Sequence, residues 1–157
     1  MIDYDYLKPS SLDEVFALMH KYGSKAQLVA GGTDVMVFIK QSNHSPEVLI
    51  SLRGLKELCY IRKNGGYHIG ALATHRMLEQ SQLVKEDLAA LQQGASQVGS
   101  VQVRNIGTVG GNICNAAPSA DTAAPLLVLD AVLELQSPEG RRKVPIEEFF
   151  LGPSAVS

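Results

Sequence analysis

Three glycines in five positions, at Gly107, Gly110 and Gly111 of the stretch Gly107-Thr108-Val109-Gly110-Gly111-Asn112, constrain this chain more than any other feature. Cys114, Asn115, Pro118 and Asp121 follow. No side chain crowds the backbone N–H groups of such a run, so it can cradle a phosphate through amides and a helix start. Strand-forming residues precede it, and a helix start follows where Asp121 or Thr122 can cap. A second loop of the same kind, Ala30-Gly31-Gly32-Thr33-Asp34, lies far upstream between Val29 and Val35. Two cradling loops suit one diphosphate held from both sides.

Neither loop carries a common nucleotide fingerprint. Gly107-x-x-Gly110-Gly111 is not G-x-G-x-x-G, and no G-x-x-x-x-G-K-[ST] occurs. Thr33 and Thr108 can hydrogen-bond phosphate oxygens, while Asp34 or Asp121 can accept from a ribose hydroxyl or an adenine amine. A side chain at Gly110 or Gly111 is expected to block a phosphate without unfolding the core.

The 157 residues suffice for a hydrophobic core, and with 45% apolar and 19% charged residues the chain reads as globular. Fourteen basic against sixteen acidic residues leave no electrostatic footprint for nucleic acid. Arg141-Arg142-Lys143 after Pro138-Glu139-Gly140 reads as a solvated strand start. No apolar run approaches the roughly 20 residues needed to span a bilayer. The acidic start Met1-Ile2-Asp3-Tyr4-Asp5-Tyr6 lacks the build of a signal peptide, so a cytoplasmic location is expected. Asn43-His44-Ser45 fits a glycosylation pattern but reads as a polar loop.

Along the chain, Ser11 with Glu14 predicts a capping box, followed by a helix that stops at Gly23. Ala26 to Ala30 reads as a strand, and Val35 to Ile39 as a buried apolar run. Val48-Leu49-Ile50 is a strand; Leu58 to Ile69 reads as a hairpin around Asn64-Gly65, with Tyr60 facing Tyr67. Thr74 caps a helix from His75 to Gln80, and Asp87 opens a longer one with Leu88, Leu91, Ala95 and Val98 on one face. Ala123 to Leu129 reads as a buried helix with Pro125 in its first turn. A strand pair around Pro138-Glu139-Gly140 and a short helix at Glu147 to Phe150 precede a loop-like Leu151-Gly152-Pro153-Ser154, which suggests a truncated polypeptide. The interleaving of strands and helices indicates an α+β or mixed class.

The bland alternatives are concrete. Cys114 reads as a small buried filler, Cys59 as strand core, and His75 as a solvated first-turn histidine rather than a base. Arg104 can neutralise phosphate or stay on the surface. His20, His44 and His68 share no metal-ligand spacing.

Leu28-Val29-Ala30-Gly31-Gly32-Thr33-Asp34-Val35 resembles the first FAD-binding loop of the FAD-binding subunits of molybdenum hydroxylases. Gln97-Val98-Gly99-Ser100, Gln102 to Asn112 and Pro118-Ser119-Ala120-Asp121 resemble the second. The family includes xanthine, carbon monoxide and nicotinate dehydrogenases. The resemblance runs from Tyr6-Leu7-Lys8-Pro9 to Phe149-Phe150-Leu151-Gly152-Pro153. It implies a two-lobed, α+β FAD-binding domain of the vanillyl-alcohol-oxidase (PCMH) type without its C-terminal part, with lobes of about 1–55 and 56–157. Val29, Ala30, Gly31, Gly32, Thr33, Asp34 and Val35 then wrap the pyrophosphate of FAD. Thr108, Val109, Gly110, Gly111 and Asn112 contact it from the other side, and Asp121 holds the adenosine. Xanthine dehydrogenases stack an aromatic residue on the flavin; Val98 stands at that position here, with Gly99 able to approach by its backbone.

The implied role is electron transfer. Substrate is oxidised at a molybdenum cofactor on a large subunit, and electrons pass through [2Fe–2S] clusters on a small subunit to FAD, then to an acceptor such as NAD. The rival readings are a stand-alone flavin oxidoreductase, with Cys114 as its covalent-link candidate, and a degenerate interaction module that has lost FAD.

Overall fold

The computed structural model describes residues 4–41 and 46–157. Met1-Ile2-Asp3 and the Asn43-His44-Ser45 pattern lie outside them. The N-terminal part is a three-stranded parallel sheet of β1 (Asp5–Leu7), β2 (Ala26–Val29) and β3 (Val48–Ser51), in the order β1-β3-β2. β3 is central and all four of its residues are buried, as a continuous apolar run in a parallel sheet requires. The crossovers are α1 (Leu12–Tyr22) and α2 (Val35–Gln41).

The signals around α1 act largely as read. Ser11 Oγ accepts from the Glu14 amide at 3.2 Å, and Gly23 ends the helix with φ +51°. The Glu14 carboxylate, however, accepts from the amide of Ser10 at 2.7 Å, one residue before the position a capping box uses. In α2 the apolar run is not wholly buried. Ile39 joins Val29 and Leu49 in the core, whereas Val37 and Phe38 are about half exposed. A helix turns successive residues through 100°, so five consecutive apolar residues cannot share one buried face.

After β3 the chain makes two 3₁₀ turns, Leu52–Gly54 and Lys56–Leu58, before the hairpin β4 (Ile61–Lys63) and β5 (Tyr67–Ile69). The hairpin is shorter than its sequence suggests because Leu58 packs beside Val15, Leu55 and Leu72 instead of extending into the ladder. Lys63, not Tyr60, stands opposite Tyr67. Cys59, left outside the ladder, is exposed and not core.

A helical layer follows: α3 (His75–Gln80), α4 (Gln82–Asp87), α5 (Ala89–Gln97), α6 (Val101–Ile106), α7 (Val109–Asn115) and α8 (Ala123–Val128). Asp87 closes α4 rather than opening a helix; Ser81 caps α4, and α5 starts two residues after Asp87. The anticipated apolar face of Leu88, Leu91, Ala95 and Val98 is buried. Val101 to Ile106 is helical, not a strand. Ser100 accepts from the Val103 amide at 3.3 Å, and this cap outweighs the β-branched residues. In α8 Leu126 is the buried residue, while Val128 is 79% exposed, so this helix is not the buried one expected.

The chain finishes with the antiparallel pair β6 (Val132–Ser137) and β7 (Gly140–Pro145), then α9 (Ile146–Phe149) and the small pair β8 (Phe150–Gly152) and β9 (Ala155–Val156). The segment read as loop is thus partly strand. Its largest core joins Leu78, Leu91, Ala95 and Ile113 to Val144, Ile146 and Phe149, tying the helical layer to the last strands.

Candidate functional site

The two glycine segments meet. Gly31 lies against the backbone of Ile106 and Gly107 so closely that a Cβ there would overlap the Ile106 carbonyl. Arg53 fixes the first segment from outside, its guanidinium donating to the carbonyls of Ala30 at 3.2 Å and Gly31 at 2.8 Å. The turn needs Gly32 at φ +80°, a conformation that glycine adopts without strain.

The second segment is not a loop but the first turn of α7. Thr108 is its N-cap, accepting from the Gly111 amide at 3.2 Å. The start of α7 is stitched to that of α3: Thr74 and Thr108 bridge as an antiparallel pair. The His75 amide donates to the Gly107 carbonyl at 3.0 Å, and the Val109 amide to Ala73 at 2.9 Å. The Gly110 amide donates to the Ala71 carbonyl at 3.0 Å, and Asn112 N–H to Thr108 at 3.0 Å. Every amide from Val109 to Asn112 is therefore engaged within the protein, which corrects the reading of this run as an open row of donors. Gly110 is required because a Cβ would stand 2.7 Å from the Ala71 carbonyl oxygen. A side chain there disturbs the fold, contrary to the expectation that it would only block a ligand.

The first segment differs. The amides of Gly32, Thr33 and Asp34 find no acceptor among the described residues. These three residues line a cleft of about 780 Å³, within the range of small-molecule sites. Ala30, Gly31, Val35, Thr108, Gly110, Gly111 and Asn112 also line it. The other anticipated residues do not. Val29 and Val109 are buried in the core. Gly99 sits in a turn at φ +43°, and Asp121 borders a separate hollow beside Gly94 and Pro125.

The donors opposite the first segment are side chains. Asn112 Oδ1 accepts from the Thr122 hydroxyl at 2.5 Å, which leaves the Asn112 amide nitrogen as its unassigned polar end. Thr122 thus holds Asn112 rather than capping α8 with its side chain. Thr33 Oγ1 donates to Asp34 Oδ2 at 3.3 Å. Among the described residues no lysine or arginine lines the cleft, so an anion seated here would rely on amides and hydroxyls.

Arg104 does neither of the things anticipated for it. Its side chain is 11% exposed and donates to Glu79 Oε2 at 3.0 Å and to the carbonyls of Val98 and Gly99 at 3.2 and 3.1 Å. The guanidinia of Arg76 and Arg104 together hold the Glu79 carboxyl below its usual range. Val98, at the stacking position, does line the cleft.

Three cleft residues went unrecognised or misread in sequence. His75 is 2% exposed, not solvated, because the α3–α7 stitch draws the first turn of α3 under Gly107. Burial lowers its pKa below the ordinary histidine value. Cys114 is exposed on the cleft rather than a buried filler, yet its surroundings push the thiol pKa up by desolvation. Phe38 places an aromatic ring on the cleft wall, a consequence of its half-exposed position in α2.

Comparison with known proteins agrees with this geometry. The family model described as the FAD binding domain in molybdopterin dehydrogenase matches residues 2–157. The nicotinate dehydrogenase FAD-subunit of Eubacterium barkeri is 38% identical over 97% of this chain and 52% of its own length. The xanthine dehydrogenase FAD-binding subunit of Escherichia coli O157:H7 is 38% identical over 100% of this chain and 54% of its own. A solved carbon monoxide dehydrogenase from Hydrogenophaga pseudoflava, lacking the Mo-pyranopterin moiety of its molybdenum cofactor, superposes with a TM-score of 0.94 at 36% identity. The match covers 98% of this chain and 54% of that one. The chain spans about half the length of the curated relatives it matches. Matched by that family model over residues 2–157, the chain belongs to the family of FAD binding domains in molybdopterin dehydrogenases.

Proposed function

We propose that the cleft holds FAD and that the chain serves as the flavin-carrying, electron-transfer component of a molybdenum hydroxylase complex. The observation that carries this reading is the set of unpaired amides at Gly32, Thr33 and Asp34 on the cleft wall, where a diphosphate finds donors. Ala30, Gly31 and Val35 frame that seat. Thr108 and Asn112 offer side-chain donors from across it, Gly111 leaves that wall without a side chain, and Gly110 lets α7 dock on Ala71. Asp34 accepts from a ribose hydroxyl. Val98 and Phe38 supply apolar surface for a ring system. The role of Asp121 in holding the adenosine needs a ligand that reaches beyond the cleft toward the second hollow.

The chemistry that bound FAD supplies is redox chemistry; this chain's residues bind it, orient it and set its electrostatic surroundings. Two cysteines cannot furnish the four thiolates of a [2Fe–2S] cluster, so in this reading the clusters sit on a small subunit and the molybdenum cofactor on a large one. The relatives named as subunits of nicotinate and xanthine dehydrogenases support that division. The acceptor is NAD or a comparable carrier, and the complex works in the cytoplasm. The two lobes divide near residue 55, after β3 and before the helical layer.

The test is the visible spectrum of the purified chain, followed by acid release. Flavin bands that wash off on denaturation support the reading. A colourless protein that ignores added FAD overturns it in favour of an interaction module. Flavin retained after denaturation points to a covalent link, with Cys114 the residue to examine.

A further inference from the structure

Among the described residues, His75 is the buried polar side chain that the fold leaves unanswered. Its Nδ1 is enclosed by protein and has no hydrogen-bond partner among the described residues. The ring lines the cleft, and its Cδ2 stands 3.3 Å from where a Gly107 Cβ would be, with Thr33 Oγ1 3.6 Å from the same point. His75 and Thr33 therefore flank Gly107 together, at the junction of the two glycine segments. Cδ2 is bonded to Nε2, and of the two ring nitrogens Nδ1 is the one enclosed without a partner, so Nε2 is the nitrogen left accessible to a ligand in the cleft.

We propose that His75 is a further ligand-positioning residue, donating a hydrogen bond from a neutral Nε2–H to the diphosphate of a ligand seated on Gly32–Asp34. The inference rests on the FAD reading above and names a contact that reading does not contain.

The tautomer follows from the orphaned atom. A neutral imidazole bears one proton, and a buried N–H without an acceptor is rarer in proteins than a carbonyl-type acceptor left short of donors. Placing the proton on Nε2 leaves Nδ1 as a bare acceptor and gives the cleft edge a donor. Protonating both nitrogens would enclose a charged N–H with no partner. The charged groups that act on the ring are the carboxylates of Asp34, from the first glycine segment, and Asp121, from the turn before α8. The Arg104 guanidinium on α6 opposes them. Burial outweighs the two carboxylates, and the ring stays neutral at pH 7.

Replacement chemistry tests the proposal. Glutamine places its amide nitrogen near the position of Nε2, whereas asparagine reproduces the reach of Nδ1. The 157-residue chain and its His75→Gln, His75→Asn and His75→Phe variants are titrated with FAD, ADP and riboflavin at pH 7.5, with circular dichroism to confirm folding. ¹⁵N-edited spectra of the ligand-free wild type read the tautomer. The expected results are an Nε2–H tautomer, FAD and ADP affinities within about 3-fold of wild type for His75→Gln, and losses of about 10-fold or more for His75→Asn and His75→Phe. Riboflavin, which lacks phosphate, should not discriminate among the four proteins. An Nδ1–H tautomer, a phenylalanine variant that binds ADP as well as wild type, or equal losses for riboflavin would overturn the proposal. A folded wild type that binds neither FAD nor ADP overturns the FAD reading itself, whatever the tautomer.

Discussion

Arg53 holds Gly31 from 22 residues away in the chain, its guanidinium donating to the Gly31 carbonyl at 2.8 Å and to the Ala30 carbonyl at 3.2 Å. This fork engages both carbonyls, while the amides of Gly32, Thr33 and Asp34 after them have no acceptor among the described residues. Removing it should loosen the seat before it harms the core. Arg53→Ala is expected to cost about 1–2 kcal/mol of stability and to weaken FAD about 5- to 10-fold. Arg53→Lys, which cannot reproduce the fork, should recover little of the affinity. Flavin-fluorescence titration and thermal melting provide the two readouts.

Glycine substitutions should separate into packing and open positions. Gly31→Ala forces a Cβ onto the Ile106 carbonyl, and Gly110→Ala brings one to 2.7 Å from that of Ala71. Each should destabilise by about 2–3 kcal/mol, the range of overpacked sites. Gly66 has no atom within 4 Å of its Cβ position, and Gly66→Ala should stay within about 0.5 kcal/mol of wild type. Denaturant midpoints decide this; an unchanged Gly110→Ala midpoint would contradict the close approach of α7 to Ala71.

Acidification should lower stability in two windows. His75 has a folded pKa below its ordinary value of 6.5, so the unfolded chain binds the proton more readily. Its contribution is present above pH 6.5 and is lost as pH falls toward the folded value. Glu79, held below 4.5 by Arg76 and Arg104, acts with the same sign in a lower window that opens near pH 4.5. Melting temperatures from pH 8 to 3.5 should thus be flat, then fall in two stages. His75→Gln should remove the first stage, and Glu79→Gln should shrink the second, to which Glu139 and Asp87 also contribute.

Thiol labelling should distinguish the two cysteines. Cys59 is exposed outside the cleft, whereas the Cys114 thiol is raised in pKa and opens on it. With a disulfide reagent at pH 8, Cys59 should react first, because a thiol with less thiolate is slower. Added ADP should slow Cys114 further and leave Cys59 unchanged. Protection of Cys59 instead would move the ligand to another surface.

Much of the architecture was legible because local signals agreed with tertiary packing. Ser11, Thr74 and Gly23 mark helix ends where the structure has them, and Asn64-Gly65 turns the hairpin. The sequence failed where a local preference met a stronger neighbour. Val101, Val103 and Ile106 have strand-like side chains, but Ser100 capped them into a helix. His75 follows a good cap and so reads as exposed; only the pairing of Thr74 with Thr108, 34 positions on, buries it. Glycine spacing marked the right two segments yet could not tell which one keeps its amides free, because that depends on Ala71 and Ala73, supplied by another part of the chain.

The engagement of every amide from Val109 to Asn112 means that the two glycine segments answer to different selective pressures. A lineage that no longer bound its ligand would be free to drift at Thr33 and Asp34, while Gly32 would stay for its turn at φ +80°. Gly110 would stay fixed, because α7 could not otherwise dock on Ala71. Decay of the first motif beside an intact second one would therefore be the signature of a retired flavoprotein.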